Sequence, residues 1–120
     1  MGVVFAIMKV FPSAKQHSHT LEILRSVQDL TRPSYGCMGC WVSEEDFSQP
    51  HIRYAEQWES EEALEQHLRS DLYRRVLAAM ELSRQPPEVI YYYTSNERGF
   101  DLIEAARGQE IQEDSLPASD

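Results

Sequence analysis

Apolar residues fill both alternating sets of positions between Gly2 and Phe11. Val3, Phe5, Ile7 and Phe11 form one set, and Val4, Ala6, Met8 and Val10 the other. Successive side chains of a strand point to opposite faces, so this pattern predicts a strand covered on both faces. In a chain of 120 residues the covers expected are its own helices and a second subunit. Lys9, the single charge in the run, is expected to snorkel to an edge.

The spacing then changes from two to about 3.6. Ser13 followed by Gln16 is a capping-box pattern. Thr20, Ile23, Leu24, Val27 and Leu30 recur at helical spacing and predict a buried stripe on a helix that runs to about Thr31. Pro33 ends it. Alternation returns from Cys37 to about Glu45 and from His51 to Glu59. Phe47-Ser48-Gln49-Pro50 turns between them, which predicts an antiparallel hairpin. In the second of these strands Ile52, Tyr54, Glu56 and Trp58 share a face, and Arg53, Ala55 and Gln57 share the other.

Ser60 with Glu61 and Glu62 behind it predicts a capped helix start, since carboxylates suit the positive end of the helix dipole. Ala63, Leu64, His67 and Leu68 make its apolar face. Arg69-Ser70-Asp71 predicts a break with Ser70 as a fresh cap. Leu72, Tyr73, Val76, Leu77 and Met80 then continue the stripe to about Ser83. Gln85-Pro86-Pro87 closes it, and Glu88 to Thr94 predicts a last strand. Phe100 to Ala106 is expected to form a short helix that docks or exchanges with a neighbour. Residues 1–107 are read as one domain. Residues 108–120 are acidic and polar, and are read as a flexible tail.

The order β-α-β-β-α-β predicts an α+β, ferredoxin-like fold, with an antiparallel sheet and helices on one face. The helix-free face carries half the apolar residues of the first strand. Two such sheets packed in a homodimer bury it most economically.

Composition narrows the partners more than the fold. Apolar residues at 42% and charged residues at 26% are ordinary globular values. A net charge of -9 argues against nucleic acid or an anionic membrane as the main partner. No apolar run approaches the ~20 residues of a membrane span. The apolar start lacks a basic leader region and a cleavage site, and Ala6 stands where a myristoylation motif needs Ser or Thr. With two cysteines and no export signal, the expected location is the cytoplasm.

Tyr35-Gly36-Cys37-Met38-Gly39-Cys40, Tyr54-Ala55-Glu56-Gln57-Trp58-Glu59-Ser60-Glu61-Glu62-Ala63-Leu64, His67-Leu68-Arg69-Ser70 and Pro86-Pro87-Glu88-Val89 together resemble the antibiotic biosynthesis monooxygenase (ABM) family of dimeric α+β barrels. The resemblance runs from about Val3 to Tyr93, with Trp58 to Ser70 its specific part. It implies an oxygenase fold that works without flavin or metal. Members oxidise anthrones or hydroquinones with O2, a related branch cleaves haem, and another acts on a small signalling ketone. Trp58 and His67 match positions that line the family's pocket. The haem-cleaving branch also needs an Asn in the first strand. Ala6, Ile7, Met8 and Lys9 stand there, which counts against haem cleavage.

His67 is the candidate catalytic residue, because imidazole titrates near neutral pH and can take a phenolic proton. The bland reading is a histidine satisfied within the core. Trp58 would stack on an aromatic substrate or serve only as core. Tyr54 on the same strand face, Leu64 beside His67 and Tyr91 complete the candidate substrate-binding set. Tyr91, Tyr92 and Tyr93 alternate sides and are read mainly as packing. Glu56 points the way Trp58 does, and if buried it needs a partner, for which Arg53 or Lys9 are candidates. The Cys37-x-x-Cys40 pair precedes a strand, and its two thiols are expected on opposite faces, a poor arrangement for redox or zinc chemistry. His17 and His19 point apart, and His51 is expected to be solvated. No cofactor or metal is expected. The function implied is oxidation of a small phenol, quinol or anthrone-like aromatic. The alternatives are a non-catalytic aromatic-binding barrel and a haem-binding relative.

Overall fold

A computed structural model describes residues 2–46 and 49–115. Its elements are β1 (Val4–Val10), α1 (His17–Thr31), β2 (Cys37–Glu45), β3 (His51–Trp58), α2 (Glu61–Leu68), α3 (Tyr73–Glu81), β4 (Glu88–Tyr93) and α4 (Phe100–Ser115). The four strands form one antiparallel sheet in the order β2-β3-β1-β4. That is the ferredoxin-like arrangement, with β1 and β3 central because each is apolar on the face that the helices cover.

Register fixes the faces. Val4, Ala6, Met8 and Val10 lie opposite Trp58, Glu56, Tyr54 and Ile52. This set turns toward the helices, and Leu24 and Val27 of α1 and Val76 and Ala79 of α3 complete the main core. A smaller cluster of Val4, Trp58, Ala63 and Leu64 lies under α2. Among the described residues no helix packs on the opposite face. Trp41, Ile90 and Tyr92 are exposed on it, with Phe5 and Ile7 half-buried.

Several expectations need correction. The hydroxyl of Ser13 does accept the Gln16 N–H at 3.3 Å, but it caps a turn, and α1 starts only at His17. Leu30 is exposed and Thr31 is buried in its place, so the stripe shifts by one residue at its end. His51 is buried rather than solvated. Its Nδ1 meets the Gln49 carbonyl and its Nε2 meets a Glu45 oxygen, both at 3.0 Å. A register shift between Cys37 and Gly39 sets Cys37 opposite Trp58 and Cys40 opposite Glu56, so both thiols share the helix-side face. Tyr92 and Tyr93 are exposed, not packed, and Tyr91 is only partly covered. The last helix is not short: α4 continues through Gly108 to Ser115, into the stretch read as tail. Phe47, Ser48 and residues 116–120 lie outside the described residues.

Candidate functional site

Three local decisions in the sequence build the site. Alternation along β3 aims Tyr54, Glu56 and Trp58 inward together. The Ser60 hydroxyl accepts the Ala63 N–H at 3.1 Å and starts α2 three residues on from the last residue of the strand. Helical spacing then puts Ala63, Leu64 and His67 on the buried side. The Ser70 hydroxyl donates to the His67 carbonyl at 2.6 Å and accepts the Tyr73 N–H at 3.2 Å, so the chain bends there and brings Tyr73 back to His67.

The centre of the arrangement is Glu56, which is 1% exposed. One carboxylate oxygen accepts the Tyr54 hydroxyl at 2.5 Å and lies 2.8 Å from His67 Nε2. The other accepts the Trp58 Nε1–H at 2.9 Å. A buried carboxylate without donors is costly, and these three side chains supply them. Lys9 and Arg53 do not: they lie opposite one another on the helix-free face. A carboxylate only accepts, so His67 Nε2 carries the shared proton and Nδ1 is the ring's remaining nitrogen.

Aromatic packing fixes the imidazole. The Trp58 and His67 rings are 4.7 Å apart and inclined by 33°, and Tyr73 meets His67 edge-on at 5.2 Å. Burial raises the Tyr54 phenol well above its ordinary range, and the Glu56 charge adds to the effect. Burial likewise raises Tyr73 and Tyr91. These phenols therefore stay protonated, and that of Tyr54 donates to Glu56. Burial pushes the Cys40 thiol up to about 12 and also raises Cys37. Neither is a nucleophile near neutral pH.

A cavity of about 190 Å³ opens against this cluster, lined by Ser34, Tyr35, Trp58, Ala63, Gln66, His67, Ser70 and Leu72. Trp58 and His67 thus share one cavity. Tyr54 lies behind it with its hydroxyl on Glu56, Leu64 packs in the cluster under α2, and Tyr91 sits on β4; these three do not line it. Glu56 and Tyr73 join the cluster although neither is among the site residues expected from the sequence. The signal for Glu56 was present: an acid at an inward strand position between Tyr54 and Trp58 must find donors on that face, and period two already sends Lys9 and Arg53 to the other. Among the described residues no cluster of three or more His, Cys, Asp or Glu could hold a metal. His17 instead meets Glu44 at 2.8 Å.

Solved structures with the same fold include a conserved protein of Methanosarcina mazei Go1, 21% identical with TM-score 0.71, covering 79% of this chain and 95% of that one. A Mycobacterium tuberculosis protein is 22% identical with TM-score 0.72, covering 82% and 100%. A candidate antibiotic biosynthesis monooxygenase of Deinococcus radiodurans is 24% identical with TM-score 0.70, covering 80% and 96%. No curated protein matches the chain significantly. The family model for antibiotic biosynthesis monooxygenase matches residues 3–79, a stretch that runs through β1 to α3 and contains Glu56, Trp58, His67 and every residue lining their cavity. The chain therefore belongs to the antibiotic biosynthesis monooxygenase family.

Proposed function

We propose that the protein is a cytosolic, homodimeric monooxygenase that oxidises a phenolic or quinol-type aromatic with O2, without a bound cofactor. The observation that carries the reading is the buried Glu56–His67 pair at 2.8 Å, with His67 and Trp58 both on one cavity. An aromatic substrate occupies the cavity that Trp58 backs from within the core, and His67 Nδ1 takes its phenolic proton. The imidazolium that forms faces the Glu56 carboxylate, so the buried charge is compensated where it appears. The phenolate then passes electrons to O2. For a quinol, one oxygen atom enters the ring, the other leaves as water, and the product is a hydroxyquinone. The quinol supplies all the electrons, so no external reductant enters the balance. The apolar helix-free sheet face supports pairing with a second copy.

The test is O2 uptake with a panel of hydroquinones in the presence of a metal chelator. Wild type should consume O2 above buffer. His67→Ala should lose roughly 100-fold or more in rate, as for removal of a general base. Rates at the buffer level for every quinol, or equal rates for wild type and His67→Ala, would overturn the reading. Tight binding without uptake would favour a non-catalytic aromatic-binding protein instead.

A further inference from the structure

We infer that α4 is an arm exchanged between two copies of this chain. Its face of Phe100, Ile103, Glu104 and Arg107 packs into a hollow on the helix-free sheet face of the second copy, formed by Ile7, Ile90 and Tyr92 with Lys9, Arg53 and Glu88. This deepens the reading of that face as the contact with a second copy and rests on it.

The start of α4 is fixed, and the rest of it lacks a packed face. The Asp101 carboxylate accepts the Gly99 N–H at 2.8 Å and the Arg98 Nε–H at 2.5 Å, which holds the first turn. Beyond that turn the apolar side chains meet water: Phe100 is 81% exposed, and Leu102 and Ile103 are exposed as well. A 16-residue helix is marginal in water unless one face is packed. Phe100, Ile103, Glu104 and Arg107 stand at i, i+3, i+4 and i+7 and so share one side of the helix. That side reads as two apolar residues followed by an acid and a base.

The hollow carries the complementary set. It measures about 220 Å³ and lies toward the Lys9 end of β1. Phe100 and Ile103 meet its apolar wall, Glu104 meets Lys9 and Arg53, and Arg107 meets Glu88. On a chain of net charge -9, this hollow holds two cations against one acid, which favours an acidic arm. The connection from β4 carries α4 to the correct side. Asn96, Glu97 and Arg98 border a second hollow with Phe5 and Gln57, at the other end of the same helix-free face. In its own chain α4 does not turn back along β1 to the Lys9 hollow, and Phe100 stays uncovered. A two-fold axis across the strands lays the Val3 end of one β1 over the Lys9 end of the other. Each arm then starts against the hollow of the second copy, and both contacts form together.

Lysine occurs only at positions 9 and 15, which makes cross-linking of the full chain decisive. Unlabelled and heavy-nitrogen-labelled chains are refolded together from urea, and a zero-length carbodiimide joins lysine amines to carboxylates. Glu88 lies opposite Lys9 on β4, so a Lys9–Glu88 link is the within-chain standard. Mass spectrometry should find Lys9 joined to Glu104, with about half of these links between a light and a heavy chain, as random pairing in a two-fold dimer gives. Phe100→Ser, at a side chain outside the core, should lower that link and weaken the dimer, each about ten-fold or more, with sedimentation velocity reading the second. A wild-type dimer whose Lys9 joins Glu104 only within one chain, or not at all, would overturn the exchange and leave the sheet-to-sheet dimer standing. A Phe100→Ser chain that links and dimerises like wild type would overturn the exchange too. A wild-type monomer would overturn the dimer and the exchange together.

Discussion

Cys40 and Tyr54 show what the site costs the fold at the level of single residues. Both are buried on the helix-side face, near the Glu56 carboxylate that raises each of them further. Cys40 is held protonated up to about 12 in the folded chain against an ordinary 9.0. Between those values the unfolded chain releases the proton and the folded chain keeps it. The folded state then binds more protons, so stability falls as pH rises. The contribution is complete below about pH 9 and disappears on the way to about 12, with a slope of at most about 1.4 kcal/mol per pH unit from this one group. Tyr54 acts in the same direction from its own higher starting point. Urea unfolding at pH 7, 9 and 10.5 should show a decline beginning near pH 9 that Cys40→Ala makes shallower. A pH-independent midpoint over that range would contradict the burial of both groups.

At the scale of elements, the connection between Pro33 and β2 governs the mouth of the cavity. Gly36 combines φ of +75° with contact against Ala63. Gly36→Ala meets two obstacles. The left-handed conformation costs about 1–2 kcal/mol for a residue with a Cβ, and the added methyl strikes α2. The variant should unfold at lower urea, and methylhydroquinone binding should weaken because the Ser34–Tyr35 rim is pushed off α2. Wild-type stability together with wild-type binding would refute the clamp.

The elements themselves were largely legible. The change from period two to 3.6 and back marks all of them through β4, and the Ser60 cap marks the start of α2. Ser70 accepts the Tyr73 N–H across the bend, but α3 starts at Tyr73 behind Leu72 with no side-chain cap of its own. The bulge was not legible. One extra residue near Met38 moves both cysteines to the same face, and Gly39 is its trace in the sequence: a Cβ there would lie 2.3 Å from the Trp41 indole. His51 was misread because its partners, Gln49 and Glu45, flank a turn whose geometry no periodicity reveals. Trp58 and His67 could be named from the sequence, while the carboxylate joining them was paired with Arg53 or Lys9, which period two sends to the other face.

For the whole molecule, the sheet separates two roles by face. The helix side holds the Glu56 cluster and its cavity. The other side presents Trp41, Ile90 and Tyr92 to solvent beside the half-buried Phe5 and Ile7. A stable interface removes about 800 Å² per partner from water, and this face offers Phe5, Ile7, Trp41, Ile90 and Tyr92 around a charged group of Lys9, Arg53 and Glu88. In a two-fold dimer every substitution appears twice across one axis. Ile90→Lys therefore brings two ammonium groups into the contact, adding to the Lys9 and Arg53 charges already on this face against one Glu88 carboxylate per copy. Sedimentation velocity should show a dimer for wild type and a monomer for Ile90→Lys at micromolar concentration. Because Ile90 points away from the cavity, the monomer should still bind methylhydroquinone with a Kd within about two-fold of wild type. Loss of binding in step with loss of the dimer would mean that the second copy completes the cavity. A wild-type chain that sediments as a monomer would leave the apolar face without the partner proposed for it.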